Sequence, residues 1–158
     1  VYYNKWKNGE SQMKRKILYG LGLGICLVSI FFGWKIYQNS TRTIVSIDDM
    51  LEIRLEKKDN KLNLSGKIDM RAFERISNWG AVQKEGVIYV YIMKTKAIIQ
   101  SKNLDIDLND VIISDSNEKP SKVYLVSGSE IEVKFDDDPR KDYIDVMNYD
   151  DKTLIFTF

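Results

Sequence analysis

Between Lys16 and Lys35 the chain runs ILYGLGLGICLVSIFFGW, eighteen residues without a charge. No other feature restricts the fold as strongly. As a helix these residues rise about 27 Å, and extension to Tyr37, with Lys35 turned outward along its aliphatic stem, approaches the ~30 Å of a bilayer's hydrocarbon core. A soluble helix this long normally carries a polar stripe at helical period, and this one has none. Residues 17–37 are therefore expected to form a transmembrane helix. A cleaved signal would have a shorter apolar core followed by an A-x-A-like site. Here the run ends FFGWKIYQNSTR, without an alanine, so it reads as an anchor that stays. Leu23-Gly24-Ile25-Cys26 is similar to a lipoprotein lipobox, but Ile25 fills the place of the small residue and the apolar run continues past the cysteine.

Basic residues orient the span. Lys5, Lys7, Lys14, Arg15 and Lys16 precede it against the single acid Glu10, whereas only Lys35 and Arg42 follow closely. The positive-inside bias makes residues 1–16 a cytoplasmic tail and sends the C-terminal bulk outside the plasma membrane. Lys14, Arg15 and Lys16 at one boundary, with Trp34, Lys35 and Tyr37 at the other, have the chemistry of interfacial anchors. Gly20 and Gly24 stand one turn apart, a spacing that lets two helices approach closely and offers a homodimer or a contact with another membrane protein.

Beyond a short polar stalk, residues 38–43, the region 44–158 is long enough for one compact domain. From Thr43 onward 17 bases face 22 acids, a net charge of −5 that the overall +1 conceals. Nucleic acid needs a basic surface, so no nucleic acid partner is expected. The one cysteine, Cys26, lies in the apolar run, which leaves the outer region without disulfides or thiolate metal sites.

The outer region's pattern is mostly of period two. Leu51, Ile53 and Leu55 alternate with acids and Arg54; Leu104, Ile106 and Leu108 alternate with Asp105, Asp107 and Asn109; Ile131, Val133 and Phe135 alternate with Glu130, Glu132 and Lys134. VIYVYIM, residues 87–93, is apolar on both faces and is the expected centre of the fold. Turn signals at Asp59-Asn60, Glu85-Gly86, 117–121, 127–129 and 136–139 bound strands near 51–57, 61–68, 87–95, 97–101, 104–108, 111–114, 122–127, 130–135, 143–147 and 153–158. The expected class is mainly β, a small sandwich or curved sheet. Met70, Phe73, Ile76 and Trp79 sit three apart after Asp69, which predicts a short helix over 70–79, with a loop leading into a strand as the alternative.

Chemistry is sparse in this sequence. There is no histidine, no G-x-S-x-G, no glycine-rich phosphate loop and no C-x-x-C. Asp105 to Asp110 opens like a calcium loop, but Asp110 stands where the turn needs glycine and Ser116 where a bidentate Glu should close the shell, so a strand with a wet acidic face is the favoured reading. Asp136, Asp137, Asp138 and Asp142 crowd one stretch and are the candidate metal ligands, with a solvated charged turn as the bland reading. The tyrosines and Trp79 are read mainly as core, secondarily as interface anchors.

No catalytic set and no cofactor are expected. The layout resembles the small anchored surface proteins of Gram-positive bacteria and the membrane-tethered immunity proteins that neutralise secreted toxins, a likeness of architecture only. The expected function is a non-enzymatic membrane protein whose outer β-domain binds another protein. The competing expectations are an immunity protein, an envelope enzyme using paired carboxylates, and a structural subunit of a membrane complex.

Overall fold

A computed structural model describes residues 2–59, 61–110, 112–114, 118–128, 132–133, 143–145 and 148–158. It divides into two compact units, residues 1–40 and 41–158. The first is a helix, α1 (Tyr2–Ser40). Its stretch Met13–Ser40 is, among the described residues, the one helix long and apolar enough to cross a membrane. The residues expected to form a basic tail are helical from Tyr2 onward, as the first turns of α1.

The second unit is mostly β. Its strands are β1 (Thr43–Ile44), β2 (Met50–Lys58), β3 (Lys61–Ile68), β4 (Glu74–Lys84), β5 (Val87–Lys96), β6 (Asn103–Asp107), β7 (Ile112–Ser114), β8 (Lys122–Ser127), β9 (Glu132–Val133), β10 (Tyr143–Asp145) and β11 (Asp151–Thr157). One sheet runs β11-β8-β5-β4-β7, with β1 added beside β5; a second runs β2-β3-β6; β9 and β10 form a two-stranded ribbon. Neither of the larger sheets closes on itself. The expected stalk is partly structured: residues 38–40 end α1, and Thr43 already pairs with Lys94.

β5 is the centre, as its two-sided apolarity predicts. It pairs antiparallel with β4 along its length, parallel with β8 through Val87–Val90, and antiparallel with β1 at Met93 and Lys94. Its Ile88, Val90 and Ile92 join the main core, where they meet Leu55, Leu62, Leu64 and Ile68 of β2 and β3, Leu104 and Ile106 of β6, and Val123 and Leu125 of β8. One apolar cluster therefore draws on both sheets, each contributing alternate residues. Tyr91 and Met93 of β5 lie on the opposite face in a second cluster with Val82 and Val126.

Two tight turns carry the hairpins. Lys84 pairs with Val87 across Glu85 (φ +51°) and Gly86 (φ +70°), the two positive angles that a two-residue primed turn requires. Lys58 pairs with Lys61 across another two-residue connection, in which Asp59 has φ +50°.

The structure corrects three expectations. Residues 70–79 are not a helix but the alternative, a loop leading into a strand: a turn over residues 72 and 73 opens into β4. Ladder register shifts between Ile76 and Asn78, so Ser77 is an extra residue and Ile76 and Trp79 both pack on the core, a spacing of three produced by a bulge. Residues 97–101 are not a strand but a bent connection with Ile98 and Ile99 in solvent. In β2 a register shift between Leu51 and Arg54 turns Leu51 outward, 48% exposed, and Met50 takes the inward place opposite Ile68. Gly66, facing that bulge, has no room for a side chain: a Cβ there would lie 2.6 Å from Ile53 Cδ1 and 3.0 Å from Ile53 Cα.

Candidate functional site

The face of the six-stranded sheet that carries the second cluster holds the domain's most organised exposed chemistry. β4 and β5 set its floor. Gly80 lies opposite Tyr91, and the phenol covers it so closely that a Cβ on Gly80 would overlap the Tyr91 hydroxyl oxygen and lie 2.5 Å from Cζ. Tyr91 is consequently almost fully buried, as are Val126 and Met93 beside it.

Next to this floor, parallel pairing places Tyr89 of β5 level with Tyr124 of β8. Their rings stack at 6.2 Å with 19° between planes, and Tyr149 stacks on the other side of Tyr89 at 6.0 Å and 24°. Lys152, early in β11, lies 5.4 Å from the centre of the Tyr124 ring and 5.1 Å from that of Tyr149, and its Nζ donates to the Tyr149 hydroxyl at 2.8 Å. The ammonium thus rests over the Tyr124 ring and on the Tyr149 hydroxyl. The Tyr149 hydroxyl bond, and the tyrosines around it, raise the Lys152 pKa and keep it charged. Burial, then Tyr149, raises the Tyr89 phenol, which stays neutral and able to donate. All three tyrosines are half-buried. The result is a continuous strip of aromatic surface with polar tips, the composition that protein interfaces favour at their anchors.

At the far end of the same face, Thr95 of β5 stands opposite Arg75 of β4, and Thr41 Oγ1 lies 3.0 Å from Thr95 Oγ1. Arg42 is close enough to Arg75 for the second guanidinium, after burial, to lower its pKa. On the core side of that end, Glu74 is buried and receives Lys96 Nζ at 2.9 Å, Lys94 Nζ at 3.7 Å and the Arg71 amide at 3.3 Å. The Lys96 bond, with Lys94 adding to it, outweighs desolvation and holds the Glu74 carboxyl below its ordinary range. Lys94 also reaches Asp49 at 3.3 Å. Glu74 is thus an ionised structural group.

The acids singled out in the sequence fare differently. Asp105 and Asp107 lie on the wet edge of β6: Asn63 donates to Asp105 at 3.0 Å, and Lys61 pairs with Asp107 at 3.1 Å. Lys61 and then the amide and side chain of Asn109 lower the Asp107 pKa. This is the amphipathic strand, with each carboxylate partnered along the ladder. Asp136, Asp137, Asp138 and Asp142 lie outside the described residues. Among the described residues no group of three or more His, Cys, Asp or Glu is arranged to hold a metal ion.

On α1, a Cβ added at Gly20 or Gly24 would meet nothing within 4 Å, so their face of the helix is open. Trp34 and Tyr37 pack ring against ring at 5.6 Å, and Lys35 Nζ lies 5.9 Å from the centre of the Phe31 ring. Lys14, Arg15 and Lys16 are exposed in the opposite half of the apolar segment. Of the aromatics, Trp79 and Phe156 join the core, while Tyr89, Tyr124 and Tyr149 make the strip. The sequence holds a signal for this division, since Tyr89 and Tyr91 share the parity opposite to Ile88, Val90 and Ile92; what it lacks is the register of β8 against β5. The chain matches no protein-family model, no curated protein and no solved structure.

Proposed function

We propose that the protein is a single-pass membrane protein, N-terminus in the cytoplasm, whose outer domain is a two-layer β-sandwich that binds another protein without catalysis. The observation that carries this reading is the strip of Tyr89, Tyr124 and Tyr149 capped by Lys152. Stacking immobilises three phenols before any partner arrives, so little side-chain freedom is lost on binding, and each phenol offers an apolar body with a hydroxyl at its edge. The anchor reading is supported by the length and apolarity of Met13–Ser40 and by the concentration of bases before it. Net charge −5 from Thr43 onward favours a partner whose contact surface is neutral or basic, as a secreted toxin neutralised by a tethered immunity protein would be.

The test is a membrane-impermeant amine crosslinker applied to intact cells, with mass spectrometry of the tagged protein. Outer-domain lysines joined to a specific protein, and loss of that product in Tyr124→Ala and Tyr149→Ala variants, are the expected results. Modification confined to lysed cells would invert the topology. Specific crosslinks that survive both tyrosine substitutions would move the binding surface elsewhere on the domain.

A further inference from the structure

Two connections at one end of the outer domain are fastened together into a single projection. The turn between β3 and β4, residues 69–73, and the connection between β5 and β6, residues 97–102, share hydrogen bonds: Ala97 N donates to Phe73 O at 2.8 Å, and Gln100 Nε2 to Met70 O at 3.0 Å and Arg71 O at 3.1 Å. Ile76 N donates to Ser101 O at 3.2 Å, and Ile68 N to Lys102 O at 2.9 Å, so the far end of the longer connection is tied to both sheets. This ordered projection carries its apolar side chains outward: Phe73 is 68% exposed, Ile98 77% and Ile99 79%. Phe73 also has φ +63°, a left-handed conformation that costs a bulky residue energy and that glycine or asparagine would fill without strain. An aromatic held in such a turn and aimed at solvent has no role in the domain's own core.

We propose that Phe73, Ile98 and Ile99 insert into the interfacial layer of the bilayer that holds α1, docking the outer domain on the membrane surface. The inference rests on the anchoring of α1 proposed above. Its warrant is the covalent path. α1 ends at Ser40, and the next residue, Thr41, is bound into the outer domain by its hydroxyl, which accepts from Lys96 N at 3.4 Å and lies 3.0 Å from the Thr95 hydroxyl. The projection begins one residue after Lys96. At about 3.8 Å between successive Cα atoms, residues 97–99 follow Lys96 within about 11 Å of chain, so they stay near Thr41 inside the same unit.

Depth agrees with this path. If the apolar segment leaves the hydrocarbon near Tyr37, residues 38–40 rise only about 4.5 Å further, less than the roughly 5–8 Å of headgroup layer on each side of a bilayer. Thr41 then lies in that layer, where aromatic and branched aliphatic side chains beside bases are the groups that partition. Residues 69–75 and 96–102 supply the bases: Arg71, Arg75, Lys96 and Lys102 against Asp69 and Glu74, a local excess of positive charge in a region whose total is −5. Glu74 and Lys96 pair with each other, which leaves Arg71, Arg75 and Lys102 against Asp69. An anionic leaflet is the complementary surface.

The test uses the full chain in proteoliposomes of phosphatidylcholine and phosphatidylglycerol. In a Cys26→Ser background, an environment-sensitive fluorophore is attached at Ile98→Cys, at Phe73→Cys, or at Lys58→Cys in the turn at the other end of β2. The expected result is a blue-shifted emission quenched by nitroxide-labelled lipid at 98 and 73, and neither effect at 58. Labels at 98 and 73 that behave like the label at 58, while the protein resists alkaline carbonate extraction, would overturn the docking and leave the anchor standing. Release by carbonate would overturn the anchor, and the docking with it.

Discussion

Gly80 and Tyr91 show how one residue pair organises a face. The phenol fills the space a Gly80 side chain would need, so Gly80→Ala has to displace a buried ring from contact with Met93 and Val126. Overpacking of this kind costs about 1–3 kcal/mol, read as a lower urea midpoint, and Tyr91→Leu in the same chain should recover part of the loss. Glu74 is the second residue whose environment makes a firm expectation. Its lowered pKa means that the stabilisation is complete above the ordinary glutamate value of about 4.3 and disappears as pH falls through the lowered folded-state value. Glu74→Gln should cost about 2 kcal/mol at neutral pH, the worth of hydrogen bonds to a charged group, and should flatten the acid limb of a stability profile measured by urea titration. A variant that keeps the wild-type acid limb would remove Glu74 from this role.

At the scale of elements, turns and bulges decide which side chains meet. Glu85 occupies the first central position of the β4–β5 turn at φ +51°, where asparagine is favoured over glutamate. Glu85→Asn is expected to raise stability by about 1 kcal/mol, visible as a higher melting temperature. Leu64, at the middle of β3 and without solvent exposure, touches the core from the smaller sheet. Its truncation to alanine should cost ~2–5 kcal/mol and serves as the reference for a fully buried site. Alternation is readable for β3, β5, β6 and β8 because one or both faces carry apolar residues at period two. It misleads where a bulge intervenes: Ser77 places Ile76 and Trp79 on one side and imitates a helical spacing, and the shift after Leu51 hands its inward place to Met50. A bulge adds one residue without any composition of its own, so period alone does not reveal it. Residues 97–101 mislead for another reason. Apolarity of Ile98 and Ile99 reports a preference for leaving water, and does not say whether protein or some other medium accepts them.

For the whole molecule, the division into two compact units predicts that residues 41–158 keep their structure when separated. A chain beginning at Thr41 should unfold in a single cooperative transition, with the same response to Leu64→Ala as the full-length protein in detergent. Failure of that fragment to unfold cooperatively would mean that α1 supplies part of its stability.

The uncharged run of 17–34, the bases before it and the acidic remainder are properties of composition along the chain, so the primary structure alone dictates a long apolar helix and a separate β-rich unit. Turn residues and two-residue periods likewise place most strands within a residue or two, because these are local preferences of the backbone. Which strands become neighbours is a different matter. Tyr89 meets Tyr124, and Phe73 meets Ala97, only because segments tens of residues apart pair in one register, and that register is chosen by how all the apolar faces bury at once. The aromatic strip and the apolar projection are therefore products of tertiary packing, although every residue in them is plain in the sequence.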